Sequence, residues 1–285
     1  MAERRDVMNN KMLDGRAIVV TGAGAGLGHA YARALAEAGA RVVASDVNAD
    51  GVRGVVEEIV AGGGTAIACV GSVADWDSAE ELMRTCVKEF GSLDGLVNNA
   101  AVQHAASPLD ENEARVRRIV EINVLGSLFP AMHAFRIMAA QRRGKILNVT
   151  SGAHIGLPGM VAYGTTKGAV ASLTYNLALE AAQHGIQVNA LAPVAQTAMS
   201  PVEDRKDGVT RPRPEQIAPA VVYLMSDASG SLNGQVVRYD GRSLSLLDPP
   251  HFRTTRVTED IATTEGIAQA FDSVLFGTVA PVGLY

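Results

Sequence analysis

Residues 18–28, Ile-Val-Val-Thr-Gly-Ala-Gly-Ala-Gly-Leu-Gly, carry an apolar β-branched run straight into a glycine-rich turn, and the alanine-rich stretch from Tyr31 to Ala38 follows at once. Strand, glycine turn and helix in that order make a phosphate cradle. Glycine lets the backbone approach a pyrophosphate, and the first N–H groups of the following helix offer donors and the positive end of a dipole. A nucleotide cofactor is therefore the first expectation, with Gly22, Gly26, Leu27 and Gly28 at the turn.

Working outward, Arg41-Val-Val-Ala-Ser-Asp46 reads as a second strand that ends in an acid, where a dinucleotide fingerprint places one. A carboxylate there accepts both ribose hydroxyls of an adenosine and repels a 2′-phosphate, so Asp46 argues for NAD over NADP; the other reading is a solvated acid at a strand end. No Arg or Lys lies within Ser45–Asn48 or in the glycine turn to neutralise a further phosphate.

Strand-like runs recur at Ala17–Thr21, Arg41–Asp46, Thr65–Val70, Gly95–Asn98, Lys145–Thr150, Gln187–Ala192 and Gln235–Tyr239, separated by helical stretches. This alternation specifies an α/β fold: a doubly wound parallel sheet of about seven strands, covered on both faces, with right-handed crossovers. Ligands in such folds bind beyond the carboxyl ends of the strands. The expected organisation is a tail over 1–12, one Rossmann-fold domain over 13–241 and a C-terminal extension over 242–285. The charged segment Pro201–Pro214 reads as an exposed loop, and Glu259–Leu275 as a helix.

The 285 residues suit one α/β domain, and 47% hydrophobic with 19% charged residues excludes a disordered chain. A net charge of -5 gives no reason to expect nucleic acid as a partner. Arg115/Arg117/Arg118 and Arg142/Arg143/Lys145 read as solvated helix ends. Cys69 and Cys86 have no spacing for a disulfide framework or a metal, so no metal is expected. The opening Met-Ala-Glu-Arg-Arg-Asp lacks the apolar core of a signal peptide, and no stretch approaches 18 uninterrupted apolar residues. A cytoplasmic protein without a membrane partner is the expectation.

After the fifth strand come Thr150 and Ser151, and beyond a glycine-containing loop lies Tyr163-Gly-Thr-Thr-Lys167. Tyrosine and lysine four apart project from one helix face. An ammonium about 4 Å from a phenol contributes on the order of 4 kcal/mol at an effective dielectric near 20. That would lower the phenol by roughly three pKa units before desolvation and other neighbours take their share, toward proton exchange near neutral pH. Ser151 would hydrogen-bond the same substrate oxygen and hold it toward the phenol.

With these residues in place the chain resembles a short-chain dehydrogenase/reductase over residues 13 to about 241. The matches run in order: Thr21-Gly22-x-x-x-Gly26-x-Gly28, Asp46, Asn98-Asn99-Ala100, Asn123, Ser151, Tyr163-x-x-x-Lys167, and Asn189 before Pro193. The resemblance implies catalytic roles for Asn123, Ser151, Tyr163 and Lys167. Asn123 would stabilise a local helix distortion that holds a water in a relay with Lys167, and Lys167 would also bind the nicotinamide ribose. Asn99 and Ala100 would floor the cofactor site, Ser72 and Val73 would stand near adenine, and Pro193 and Thr197 near the carboxamide or pyrophosphate. The cofactor implied is NAD, the substrate a small alcohol or ketone, and the assembly a homodimer or homotetramer. The apolar content of Gly126–Ala139 and Ala169–Ala182 agrees with such pairing.

Four departures stand out. Ala101 replaces a glycine after Asn98-Asn99-Ala100, and Ser72 stands where an adenine-contacting Asp is usual. Ser151 lies 12 residues before Tyr163, while the common spacing of 13 falls on Thr150, so either hydroxyl fits. Pro193-Val-Ala-Gln-Thr-Ala-Met199 lacks the glycine usual after the proline. This last loop is similar to that of (3R)-hydroxyacyl-CoA dehydrogenase domains of multifunctional β-oxidation enzymes, which implies a 3-hydroxyacyl thioester beside generic cyclic or steroid alcohols. A nucleotide-binding regulatory protein without turnover is the alternative of another class. His154 in the Ser151–Tyr163 loop reads as a structural histidine, as do His29, His133 and His184, and Met160 as a pocket residue.

Overall fold

The central apolar runs become strands because their β-branched and aliphatic residues are buried on both faces, while the strands at the two sheet edges stay partly open. The computed structural model describes residues 11–197, 211–258 and 261–278. The strands are β1 (Ala17–Thr21), β2 (Arg41–Asp46), β3 (Thr65–Val70), β4 (Gly95–Asn98), β5 (Gly144–Val149), β6 (Ile186–Pro193), β7 (Val236–Tyr239) and β8 (Leu244–Leu247). They form one sheet in the order β3-β2-β1-β4-β5-β6-β7-β8. The first seven are parallel, and β8 runs antiparallel to β7 with Val236 opposite Leu247 and Tyr239 opposite Leu244.

The doubly wound parallel sheet of about seven strands is present, with an antiparallel eighth strand added at its edge. The eighth strand comes from the segment read as extension, and a side chain makes the turn that returns it. Asp240 accepts from the backbone N–H of Arg242 at 2.9 Å and of Ser243 at 2.6 Å, folding the chain back along β7.

Helices α1 (Gly26–Glu37), α2 (Ala49–Ala61) and α7 (Pro214–Met225) cover one face of the sheet, and α3 (Trp76–Phe90), α5 (Gly126–Gln141) and α6 (Val161–Ala182) the other. Leu35, Val52, Ile59 and Ile217 fill the first layer, and Leu82, Met83, Met138 and Leu177 the second. α4 (Glu113–Val120) leads into a π-helical turn at Glu121–Leu125 and then α5. The run Glu113–Gln141 has the length and hydropathy of a membrane span by composition alone, yet Ala131, Ala134 and Met138 pack it onto the sheet. The helix expected over Glu259–Leu275 is shorter: α8 (Thr264–Ala270) followed by a π-helical turn at Phe271–Leu275. Most of the expected loop Pro201–Pro214 lies outside the described residues, as do Ala198 and Met199.

The chain winds from β1 outward to β3, then returns to β4 on the other side of β1. That reversal opens a crevice at the carboxyl ends of β1 and β4, where this topology binds ligands.

Candidate active site

The N-terminus of α1 opens into this crevice without a side-chain cap. Ala25 stands at the N-cap with no acid in the first turn, whereas Asn48, Asp75 and Asn112 cap α2, α3 and α4 by accepting from Gly51, Ser78 and Arg115 N–H. The first N–H groups of α1 are left for an anion. Two glycines make the approach close. Gly22 sits at φ 64°, and a Cβ there would lie 2.7 Å from Ala100 Cα; one on Gly28 would collide with the Gly22 carbonyl.

A cleft of about 640 Å³ runs from this turn along the strand ends. Its wall includes Gly22, Gly26, Leu27, Gly28, Asp46, Asn99, Ala100, Ser151, Tyr163, Lys167, Pro193 and Thr197, all expected from sequence, and Met160 and Ala101 beside them. Ser72 and Val73 stand apart, in a pocket of about 120 Å³ shared with Ser45 and Cys69. Asn123 lies behind the cleft wall, fully buried.

Each element fixes its side chain for a visible reason. Asp46 ends β2 with Oδ2 accepting from Gly24 N–H and Oδ1 from Asn48 N–H, both at 2.9 Å, so the carboxylate is locked against the glycine turn. Thr21 Oγ accepts from Asn99 and Ala100 N–H at 3.0 and 3.1 Å, and the Asn99 amide donates to the Thr21 and Gly22 carbonyls, tying the end of β4 to the turn. Asn123 sits in the π-helical turn. Its Oδ1 accepts from Val102 N–H, and its Nδ2 donates to Val102 O and to Thr166 Oγ at 3.0 Å, which clamps the strand β4 exit to α6. The expected helix distortion is present, and its amide is bonded to Val102 and Thr166. Asn189 accepts from Gln235 N–H and donates to Leu232 O, bracing the entry to β7.

Of the two candidate hydroxyls, Thr150 donates to the Lys167 carbonyl at 2.8 Å and is buried. Ser151 stands near enough to the Tyr163 phenol to favour its ionised form. Both residues line the cleft; the Thr150 hydroxyl is spent on the Lys167 carbonyl, while Ser151 Oγ accepts from Ala153 N–H at 3.2 Å.

Lys167 lies over the Tyr163 ring, Nζ 5.7 Å from its centroid, and donates to Val149 O at 2.8 Å. Burial holds this lysine down to about 8. Burial likewise pushes the Tyr163 phenol up, and the nearby Ser151 hydroxyl pulls it partly back. The expected lowering of the phenol by the ammonium is thus corrected: desolvation outweighs it, with the lysine donating to the backbone.

The structure adds Ser127, Asn148 and Thr174, which the sequence reading passed over, as direct or onward partners of Asn98. Asn98 donates to Ser127 O and to Asn148 Oδ1, and Asn148 donates to Thr174 Oγ, a buried amide chain that fixes β4, β5 and α6 together. Two arginines, Arg211 and Arg238, line the cleft. Arg238 could have been found by inspecting the end of the seventh strand for charge as the other strand ends were inspected. His154 bonds the Ser151 carbonyl through Nδ1, and His29 pairs with Glu58 at 2.9 Å, in agreement with structural roles.

A family model described as short chain dehydrogenase matches residues 16–207. The chain is 40% identical over 239 residues to a cis-4-hydroxycyclohexanecarboxylate dehydrogenase of Sinomonas cyclohexanicum, a match covering 79% of this chain and 95% of that protein. It is 33% identical over 256 residues to a 7alpha-hydroxysteroid dehydrogenase of Escherichia coli, covering 84% and 98%. A crystal structure of a short chain dehydrogenase from Mycobacterium avium aligns with a TM-score of 0.86 at 31% identity, covering 96% of this chain and 99% of that one, so the likeness runs on past Gly241.

Proposed function

The chain belongs to the short-chain dehydrogenase family, and we propose that it is an NAD(H)-dependent oxidoreductase that interconverts a secondary alcohol and a ketone. The observation that carries this reading is the cleft into which the uncapped α1 opens, whose wall brings together the glycine turn, Ser151, Tyr163 and Lys167, with Lys167 Nζ 5.7 Å from the Tyr163 ring centroid.

The residues fit a dinucleotide. Gly22 and Gly28 leave no room for a side chain where a pyrophosphate would approach, and the first N–H groups of α1 would receive it. Asp46 would accept the adenosine ribose hydroxyls, and its negative charge supports NAD over NADP. Asn99 and Ala100 would floor the site, Pro193 and Thr197 would stand beside the nicotinamide half, and Ser72 and Val73 beside adenine. When bound, the cofactor supplies or takes up a hydride at the carbonyl carbon.

This chain's own residues manage the oxygen and its proton. Ser151 donates to the substrate oxygen and orients it toward Tyr163. In reduction the phenol, held neutral by burial, gives its proton to that oxygen; in oxidation the phenolate takes it back. Lys167 holds a ribose hydroxyl and places positive charge under the ring, and Asn123 keeps the Val102 backbone and α6 in register behind it. The substrate is read as a ring alcohol or ketone, on the likeness to dehydrogenases of a hydroxycyclohexane acid and a hydroxysteroid, with a 3-oxoacyl thioester as the competing class. The protein is further read as cytoplasmic and as a homodimer or homotetramer.

The test is NADH oxidation by the purified protein against cyclic ketones, steroid ketones and 3-oxoacyl thioesters, with NADPH in parallel. Turnover with NADH that falls at least 1,000-fold in Tyr163→Phe, with NADH binding intact, is the expected outcome. Full activity in that variant, or a preference for NADPH, would overturn the mechanism or the cofactor assignment respectively.

A further inference from the structure

We propose that Arg238 is the anion-recognising end of this cleft and selects substrates that carry a carboxylate besides the reacting hydroxyl or keto group. The inference rests on the oxidoreductase reading and names its substrate class.

Arg238 lies on β7 opposite Ala192 of β6. Two residues earlier on the same face, Val236 packs with Ala171 of α6, the helix that carries Tyr163 and Lys167. Strand alternation therefore turns Arg238 to the catalytic side of the sheet, at the strand end where ligands bind. It is partly buried and lines the cleft, as does Arg211. Arg211 is brought to the same end of the cleft by its neighbour Pro212, which packs against Gly241 just past β7 and accepts from Gln196 N–H.

The cleft's charges are separated by sign. Among the described residues its one carboxylate is Asp46, which accepts from two backbone N–H groups and sits at the end of β2. Five strand spacings, roughly 24 Å, separate β2 from β7, so Asp46 does not serve as partner to Arg238. Among the described residues neither Arg211 nor Arg238 forms an ion pair. Asp240, which feels the charge of Arg238, spends its oxygens on Arg242 N–H, Ser243 N–H and the Ser243 hydroxyl. A guanidinium held in a partly dry cleft without a carboxylate is matched by a planar, bidentate anion.

Distance selects which anion. The pyrophosphate cradle lies at β1, four strand spacings or about 19 Å from β7. Ser151 follows β5, only two spacings or about 10 Å away, and lines the same cleft as Arg238. The reach from Tyr163 to Arg238 suits a carboxylate on the same small ring or short chain as the reacting carbon. It does not suit a phosphate at the far end of a thioester carrier.

The experiment compares 4-oxocyclohexanecarboxylate with its methyl ester, using the wild-type protein, Arg238→Gln and Arg238→Lys with NADH. The expected result is that the acid-to-ester ratio of kcat/KM falls 10- to 100-fold in Arg238→Gln, mainly through KM of the acid, and is partly restored in Arg238→Lys. Calorimetric binding of cyclohexanecarboxylate to the protein saturated with NAD should weaken in parallel, a readout that needs no turnover. Parallel loss on acid and ester, a weakened affinity for NADH alone, or a wild-type enzyme that reduces the ester as readily as the acid would each overturn the inference while leaving the oxidoreductase reading standing. No turnover of any ketone would sink that reading instead, and the calorimetry on the Gln and Lys variants would still decide the anion site.

Discussion

Lys167 is only 3% exposed, with its ammonium bonded to a single backbone carbonyl, and the fold bears a cost for it. Its pKa falls from 10.5 to about 8 on folding. Between those two values the unfolded chain binds the proton and the folded chain does not, so the stability contributed at this position rises as pH climbs from 8 to 10.5, and the full penalty stands below 8. The shift corresponds to roughly 3 kcal/mol, of which about 1 kcal/mol offsets the carbonyl that a methionine would leave unpaired. Lys167→Met is therefore expected to unfold in urea at least as stably as the wild type at pH 7, by about 1–2 kcal/mol, and to lose that advantage at pH 10. Turnover should drop at least 100-fold at both. A variant that is markedly less stable at pH 7 would show that the lysine serves the fold instead of the reaction.

At the scale of elements, α1 starts at the glycine turn without a side-chain cap. Ala25→Asp would give it the N-cap that Asn48, Asp75 and Asn112 give their helices. The expected outcome is a gain of about 1 kcal/mol in stability without cofactor, together with at least a tenfold loss of NADH affinity, since the new carboxylate takes the N–H groups and the dipole meant for the pyrophosphate. Thermal melts and fluorescence titration measure the two; tighter NADH binding would refute the cradle. The glycine turn, Asp46 and strands β1, β2 and β4 were legible in sequence because both faces of those strands are buried and their apolar runs end where burial ends; β3, at the sheet edge with half its residues exposed, was legible from its Thr-Ala-Ile-Ala-Cys-Val run alone. β8 was not, because Leu-Ser-Leu-Leu acquires its conformation from the Asp240 turn and from pairing with β7, neither of which leaves a period in the chain. Asn148 and Thr166 escaped for a related reason. Their roles come from hydrogen bonds to elements distant in sequence, and a lone polar residue in a strand or helix carries no local sign of such a partner.

For the whole molecule, the part least accounted for by a single chain is the segment beyond Gly241. Leu244 and Leu246 on β8 are more than half exposed, and Ile267, Phe271 and Val274 keep 49%, 41% and 39% of their surface open at helical spacing. In the core of the same protein, side chains of that kind lie at a few per cent. Each apolar group left in water forgoes about 25 cal/mol per Å² of burial, and a contiguous stripe of that character marks a surface that meets another protein. A second copy of the chain is the partner always present at equal concentration, and a symmetric pairing would bring like stripes together. Ile267→Lys combined with Val274→Lys is accordingly expected to convert a wild-type dimer or tetramer into a species near the 29.8 kDa of one chain in light scattering. NADH binding should persist, because neither residue lines the cleft. A wild-type protein that is already monomeric would overturn the self-pairing altogether, whereas a double variant whose mass is unchanged would move the interface away from the C-terminal stripe to the outer faces of α5 and α6, where Met132 and Leu179 are exposed.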